Sequence, residues 1–246
     1  MKKSDLTLEK IVSNGISNGL QNFLPLLGAF VLWLLTCWIP YLNFGTTIAL
    51  ASLPIAISNG EKITPMQIFD AKYRKNIGSF SLLLLFLFAG MYASMIFGLP
   101  GLLMNNYLIT QTLMNGNIGI NTYIYVSYIG LAFLLIPMLV MYITWSQSVF
   151  LLLDKGTEPL ESIKMSASLV HGKKWPIFGG VAIFDLACYI AFTVIMFIFG
   201  FINGLTHIEF TSWLPNFVML VIMLLYVPFK LGTAGYVYNC LKNEKA

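Results

Sequence analysis

Long stretches of this sequence are apolar at every position, without the period of two of a half-buried strand or the one-sided stripe of a surface helix. Residues 81–98 and 190–202 are examples. A helix needs about 20 residues to cross a bilayer. In lipid, only helices and closed barrels satisfy every backbone N–H and C=O. Barrel strands would appear as segments of about ten residues alternating apolar and polar, so the pattern predicts helices. Spans are expected at 21–42, 43–58, 79–104, 123–152, 175–203 and 213–241. The second is short and holds Pro54, and the residues from Trp38 to Asn43 read as an interfacial turn before it. Several later spans exceed 25 residues, which predicts tilt or helix projecting beyond the bilayer.

The polar segments between the spans repeat one another. One reads Thr64-Pro65-Met66-Gln67-Ile68-Phe69 and ends at Gly78; another reads Thr157-Glu158-Pro159-Leu160-Glu161-Ser162-Ile163 and ends at Gly172. Pro to Gly is thirteen residues in both. Proline suits the first turn of a helix and glycine the position just past its end. Thr64 with Gln67 also fits a capping box. Each segment is therefore expected to be a short helix leading into a span. In the second, Leu160, Ile163, Ala167 and Val170 fall on one face, and Glu161, Lys164, Ser168 and His171 on another. That pattern suits a helix lying in the membrane plane. Leu8-Glu9-Lys10-Ile11, followed by Gly19, echoes the same theme. The chain thus reads as one membrane domain, residues 1–246, of three parallel pseudo-repeats at about 4–58, 59–153 and 154–242.

Composition narrows the class. Hydrophobic residues make up 58% and charged residues 10%, and the mean hydropathy is +0.79. A soluble domain carries about 25% charge, so an all-α integral membrane protein is expected. The net charge of +4 matters less than its distribution. With an inner N-terminus and six spans, the inner segments hold thirteen of the fourteen basic residues; the exception is Lys230, inside a span. The outer loops, including 105–122, hold none. This one-sidedness follows the positive-inside rule and puts both termini in the cytoplasm. A single crossing between 21 and 58 would break the sidedness, so two crossings are favoured. Residues 1–21 carry five charges and lack the apolar core and cleavage site of a signal peptide, so the first span is expected to stay in the mature protein.

Candidate chemistry is sparse. No HExxH, GxSxG, Walker A or clustered carboxylates occur, so no enzyme, metal site or cofactor is expected, and no nucleic-acid partner. His171 and His207 read as surface residues, and Cys37 and Cys188 as small hydrophobes. Asp185 and Lys230 lie at matching depths in the fifth and sixth spans. Charges in lipid are costly unless paired, which predicts an intramembrane ion pair lining a polar path, a structural clamp, or a snorkelling lysine. Lys72, Arg74 and Lys75, and Lys173, Lys174 and Trp175, fall at the inner headgroup level as candidate contacts for anionic phospholipids. Gly200 and Gly204 offer a small-residue spacing for close helix approach. Pro25, Pro54, Pro137 and Pro228 predict kinks.

The stretch 136–178, IPMLVMYITWSQSVFLLLDKGTEPLESIKMSASLVHGKKWPIF, carries a resemblance. Pro137, the Asp154-Lys155-Gly156 end, the Pro159-to-Lys164 segment, Ser166, Gly172 and Trp175 resemble bacterial six-span membrane proteins of unknown function. These include the YciC-like proteins and the membrane domain attached to some glycerophosphodiester phosphodiesterases. The resemblance implies an integral membrane module and no particular reaction. The coupling helix of ABC importer permeases is a poorer comparison, because Glu161 and Gly172 are eleven residues apart, more than that loop allows. The expectation is a non-enzymatic bacterial inner-membrane protein that interacts with lipid or acts as a scaffold, with room for a protein partner at its interfacial helices. The alternative is a transporter or permease for a small or amphiphilic substrate, with a polar path at Asp185 and Lys230.

Overall fold

Proline and glycine decide where this chain turns. The computed structural model describes residues 6–96, 99–115, 120–206 and 213–244, and all its regular elements are helical. α1 (Leu8–Gln21) begins on Thr7, whose hydroxyl accepts from the Lys10 amide at 3.4 Å. It stops at Gln21 because Pro25, four residues on, lacks an N–H and its ring would strike the Gln21 carbonyl. The chain bends by 76° into α2 (Phe23–Thr36). Pro40 occupies the first turn of α3 (Pro40–Ser58). Two 3₁₀ helices, Pro65–Phe69 and Ala71–Asn76, lead into α4 (Ile77–Met95). α5 (Leu99–Asn115) and α6 (Ile120–Trp145) follow, then α7 (Ser148–Lys155), α8 (Pro159–Val170), α9 (Lys174–Thr206) and α10 (Trp213–Glu244).

Five helical stretches among the described residues are long and apolar enough to cross a bilayer. They are Pro40–Ser58, Ala71–Met95, Leu135–Lys155, Lys174–Phe201 and Phe217–Asn243, with the bent α1–α2 pair as a potential sixth. The expected first span, 21–42, is not one helix. α2 has 14 residues and rises only about 21 Å, less than the roughly 30 Å of hydrocarbon. Residues 105–115, expected in an outer loop, belong to α5, which packs on α6.

The core gathers at the end carrying Lys155, Lys174 and Lys242. α1 runs antiparallel to α10 along a glycine seam. A Cβ on Gly232 would lie 2.6 Å from the Gly19 nitrogen and 2.9 Å from the Gly15 oxygen, so the two backbones touch. Leu6 and Ile11 join Ile143, Val170, Ile177, Val237 and Leu241 in one buried cluster. Leu26 and Ala29 of α2 pack with Ala49 and Leu53 of α3 and with Ile63 and Ile68 of the 3₁₀ segment. Trp33 Nε1 donates to Thr47 Oγ1 at 2.9 Å, tying α2 to α3. In contrast, Lys174–Phe201 contains no buried residue within its most apolar window.

The segment 65–78 differs from expectation. Its capping box forms, with Thr64 N donating to Gln67 Oε1 at 3.3 Å, but Asp70 is extended and splits the segment into two short 3₁₀ helices. Gly78 then lies in the first turn of α4. α8 has the expected ends: Pro159 in its first turn and Gly172 at φ 80° just beyond. Its buried face is rotated, however. Ser162 and Ser166 turn inward with Ile163, Leu169 and Val170, while Leu160 is exposed. The small-residue spacing at Gly200 meets nothing within 4 Å, so that glycine makes no close approach. Spacing alone does not say which helix face has a partner.

Candidate functional site

Ser166 turns inward because a broken helix needs it. The polar run Ser146-Gln147 interrupts the expected 123–152 helix, dividing α6 from α7. Ser166 Oγ accepts from the Gln147 amide at 3.2 Å and donates to the Thr144 carbonyl at 2.8 Å, bridging the break from α8. Ser166 is fully buried, so these bonds are shielded from competing water. The Gln147 side chain is then held at the break. Its Nε2 donates to Ser146 Oγ at 3.1 Å, and Ser146 Oγ donates to the Ile143 carbonyl at 2.8 Å. With its proton committed there, Ser146 Oγ can only accept from Gln147, which fixes the amide orientation. Gln147 Oε1 is left buried with no donor. A buried acceptor without a partner costs about 1–3 kcal/mol.

Gln147 lines a partly open cavity of about 320 Å³ between α3, α6, α7, α9 and α10. Pro54, Ile143, Phe150, Phe178 and Val181 make most of the wall apolar, and among the described residues Lys230 is its only charged lining residue. Lys230 Nζ donates to Asp185 Oδ1 at 2.7 Å, and the Tyr226 hydroxyl donates to the same oxygen. The expected ion pair is therefore present, but its two members face differently. Lys230 is 27% exposed and borders the cavity; the Asp185 side chain is 51% exposed and is not among the lining residues.

The same clamp occurs again twelve residues along α10. Asp154 Oδ2 accepts from the Tyr238 hydroxyl at 2.7 Å and from Lys242 Nζ at 2.8 Å. Each lysine also sits near the ring of the tyrosine four residues before it, at 5.4 Å for Lys230 and 5.8 Å for Lys242. The Asp154 clamp borders a second, polar cavity of about 300 Å³ lined by Asn59, Glu61, Lys72 and Asn76 among others.

The predicted headgroup contacts lie on two separate elements. Lys72 is 3.7 Å from Asp70, and the Arg74 guanidinium stacks 5.7 Å from the Tyr41 ring, while Lys75 is exposed. Lys173, Lys174 and Trp175 open α9, with the Trp175 ring 82% exposed. His171 is exposed, and His207 lies outside the described residues. Among the described residues, no three His, Cys, Asp or Glu side chains are grouped so as to hold a metal. Sequence reasoning missed Gln147, Ser166 and the Asp154 clamp. The polar Ser146-Gln147-Ser148 run inside an apolar span, and the matching Tyr-x-x-x-Lys spacings at 226 and 238, were the available signals. Comparison with family models, curated proteins and solved structures gives no match.

Proposed function

We propose that this is a non-enzymatic, lipid-interacting multi-pass protein of the bacterial inner membrane, whose packed, lysine-rich end faces the cytoplasm and holds a single-chain amphiphile. The observation that carries this reading is the apolar cavity with Gln147 Oε1 buried and lacking a donor. At about 320 Å³ the cavity is at the small end of ligand sites, which run from about 300 to 1,000 Å³, and this favours a single alkyl chain over a diacyl lipid. Asp185 offsets the charge of Lys230, which favours a neutral head group. A turn of the Gln147 side chain would bring its unpartnered acceptor to a head that donates a hydrogen bond, such as a hydroxyl. Asp185 and Asp154 are each held by a tyrosine and a lysine, an arrangement that suits clamps better than acid–base catalysis.

The purified full chain in nanodiscs tests this with a diazirine-bearing long-chain alcohol mapped by mass spectrometry. Cross-links are expected on cavity residues and should be lost in Ala234→Trp, which fills the space. Dodecanol should compete about tenfold better than dodecyl methyl ether, which cannot donate. Equal competition would remove the role of Gln147, and dodecanoate winning over the alcohol would mean that Lys230 selects an anion. Absence of cavity cross-links in the wild type would sink the lipid reading altogether. Uptake or efflux that depends on Asp185 would favour a transporter instead.

A further inference from the structure

The charge count leaves one question open: two crossings between residues 21 and 58, or none, keep every basic segment on the same side. Contacts between the 3₁₀ segment and the preceding helices separate the two cases. Residues 61–76 carry six charges, Glu61, Lys62, Asp70, Lys72, Arg74 and Lys75. This segment does not simply cap the Ser58 end of α3; it runs back along α2 and α3. Pro65 would touch a Cβ on Gly28 at 2.8 Å, and Ile63 and Ile68 pack with Leu26, Ala29, Ala49 and Leu53. Arg74 reaches furthest, its Cγ 3.2 Å from the Cβ position of Gly45 and its guanidinium 5.7 Å from the Tyr41 ring. Tyr41 is at the opposite end of α3 from Ser58, about 26 Å away along the helix. If α3 crossed the bilayer, Arg74 would be drawn toward the far face, although its near neighbour Lys72 lines the polar cavity with Asn59, Glu61 and Asp154 at the Ser58 end.

α1 gives an independent sign. It lies along α10 from the level of Leu241 to that of Phe229, with Glu9, Lys10, Ser13, Ser17 and Gln21 exposed. With Leu8, Ile16 and Leu20 also exposed, this outer face mixes polar and apolar residues along its length, which suits the membrane interface and not the lipid interior. Beyond Phe229, α10 continues to Trp213 for 16 residues, about 24 Å, so it crosses on that length where the bilayer thins around it.

We infer that α1–α3 do not cross the membrane but form a collar embedded in one leaflet, around the projecting ends of four crossing helical segments. Its lipid-facing surface is the exposed apolar edge of Leu24, Leu35, Trp38, Tyr41 and Phe44. The partner is the cytoplasmic leaflet: Trp38 and Tyr41 suit its interface, and Arg74 beside Tyr41 suits anionic headgroups. The four crossings lie within the stretches Ala71–Met95, Leu135–Lys155, Lys174–Phe201 and Phe217–Asn243, and α3 is the least apolar of the five candidates. The Asp185–Lys230 pair then sits at the base of the hydrocarbon, which accounts for a half-exposed carboxylate. This inference does not depend on what fills the cavity.

Single cysteines on a cysteine-free full chain decide it, using an impermeant maleimide on intact spheroplasts and on inverted vesicles. Lys75→Cys marks the cytoplasmic side and Met114→Cys the other. Tyr41→Cys, and Trp38→Cys as a second position, should react only from the side of Lys75→Cys. Reaction from the side of Met114→Cys, or protection from both sides until detergent is added, overturns the collar.

Discussion

Gly232→Ala should loosen the packed end of the protein, although alanine is the better helix former. The gain in helix propensity is about 1 kcal/mol. Against it stands the seam with α1, where the new methyl would lie 2.6 Å from Gly19 N, 2.9 Å from Gly15 O and 3.0 Å from Gly19 Cα. All three are backbone atoms, so no rotamer change relieves the contact and α1 itself must retreat. Overpacking of a tight interior costs about 1–3 kcal/mol, and a rigid backbone neighbour puts this case at the upper end. Retreat also pulls Leu6 and Ile11 away from Val237 and Leu241. The net expectation is a loss of about 2 kcal/mol, roughly thirtyfold in the unfolding equilibrium. Titration with SDS in mixed micelles, followed by circular dichroism, reads this directly. Gly200→Ala is the matched control: it lies in α9 with nothing within 4 Å, so it should be neutral or gain up to about 1 kcal/mol. Equal behaviour of the two variants, or a stabilised Gly232→Ala, would refute the seam.

Two further substitutions probe the site in the same titration. Ser166→Ala removes both bonds that bridge the α6–α7 break and should cost about 2–3 kcal/mol, whereas exposed Ser13→Ala should cost little; equal losses would mean that the bridge is unimportant. Asp154→Asn weakens an acceptor shared by Tyr238 and Lys242, and with its side chain only 13% exposed the loss should reach about 2–4 kcal/mol. Adding Lys242→Met should recover part of that loss, and a double variant no better than the single would show the pair uncoupled.

What the sequence reveals here depends on how local the cause is. The apolar runs, the Thr64–Gln67 capping box and the Pro159 and Gly172 limits of α8 each rest on residues a few positions apart. The Asp185–Lys230 pair was legible because consecutive helices of a hairpin bring equal depths together. Pro25 carried enough information to end α1 at Gln21, but a hydropathy window averages that steric demand away. The glycine seam was out of reach for another reason. Gly15 and Gly19 meet Gly232 from more than 200 positions away, and nothing local says that the first and last helices pair. Ser162 and Ser166 show the reverse error. An apolar stripe predicted which face of α8 would be buried, but the backbone groups freed at the α6–α7 break required the Ser166 hydroxyl there, and Ser162 turns in to bond Thr157 and the Glu158 carbonyl.

These long-range contacts converge on the second half of α10, and its helical geometry shows how. At 100° per residue, the twelve positions between Tyr226 and Tyr238 turn the helix by about 120°, so the two clamps grip different partners. The first holds Asp185 of α9 and the second holds Asp154 of α7. Gly235 admits the Pro54 carbonyl of α3 beside the second clamp, and Gly232 and Thr233 admit α1 on the remaining side. Glycine stands where backbones must touch, and a tyrosine–lysine pair where a side chain must reach across. Residues 226–242 thus act as a post for α1, α2, α3, α7 and α9, while Phe217, Leu220, Met223 and Leu225 before them are exposed. An alanine scan of α10 should place its large stability losses between 226 and 242. Losses spread evenly from 217 onward would mean that the outer half is packed by a partner and that the post is not the organising element.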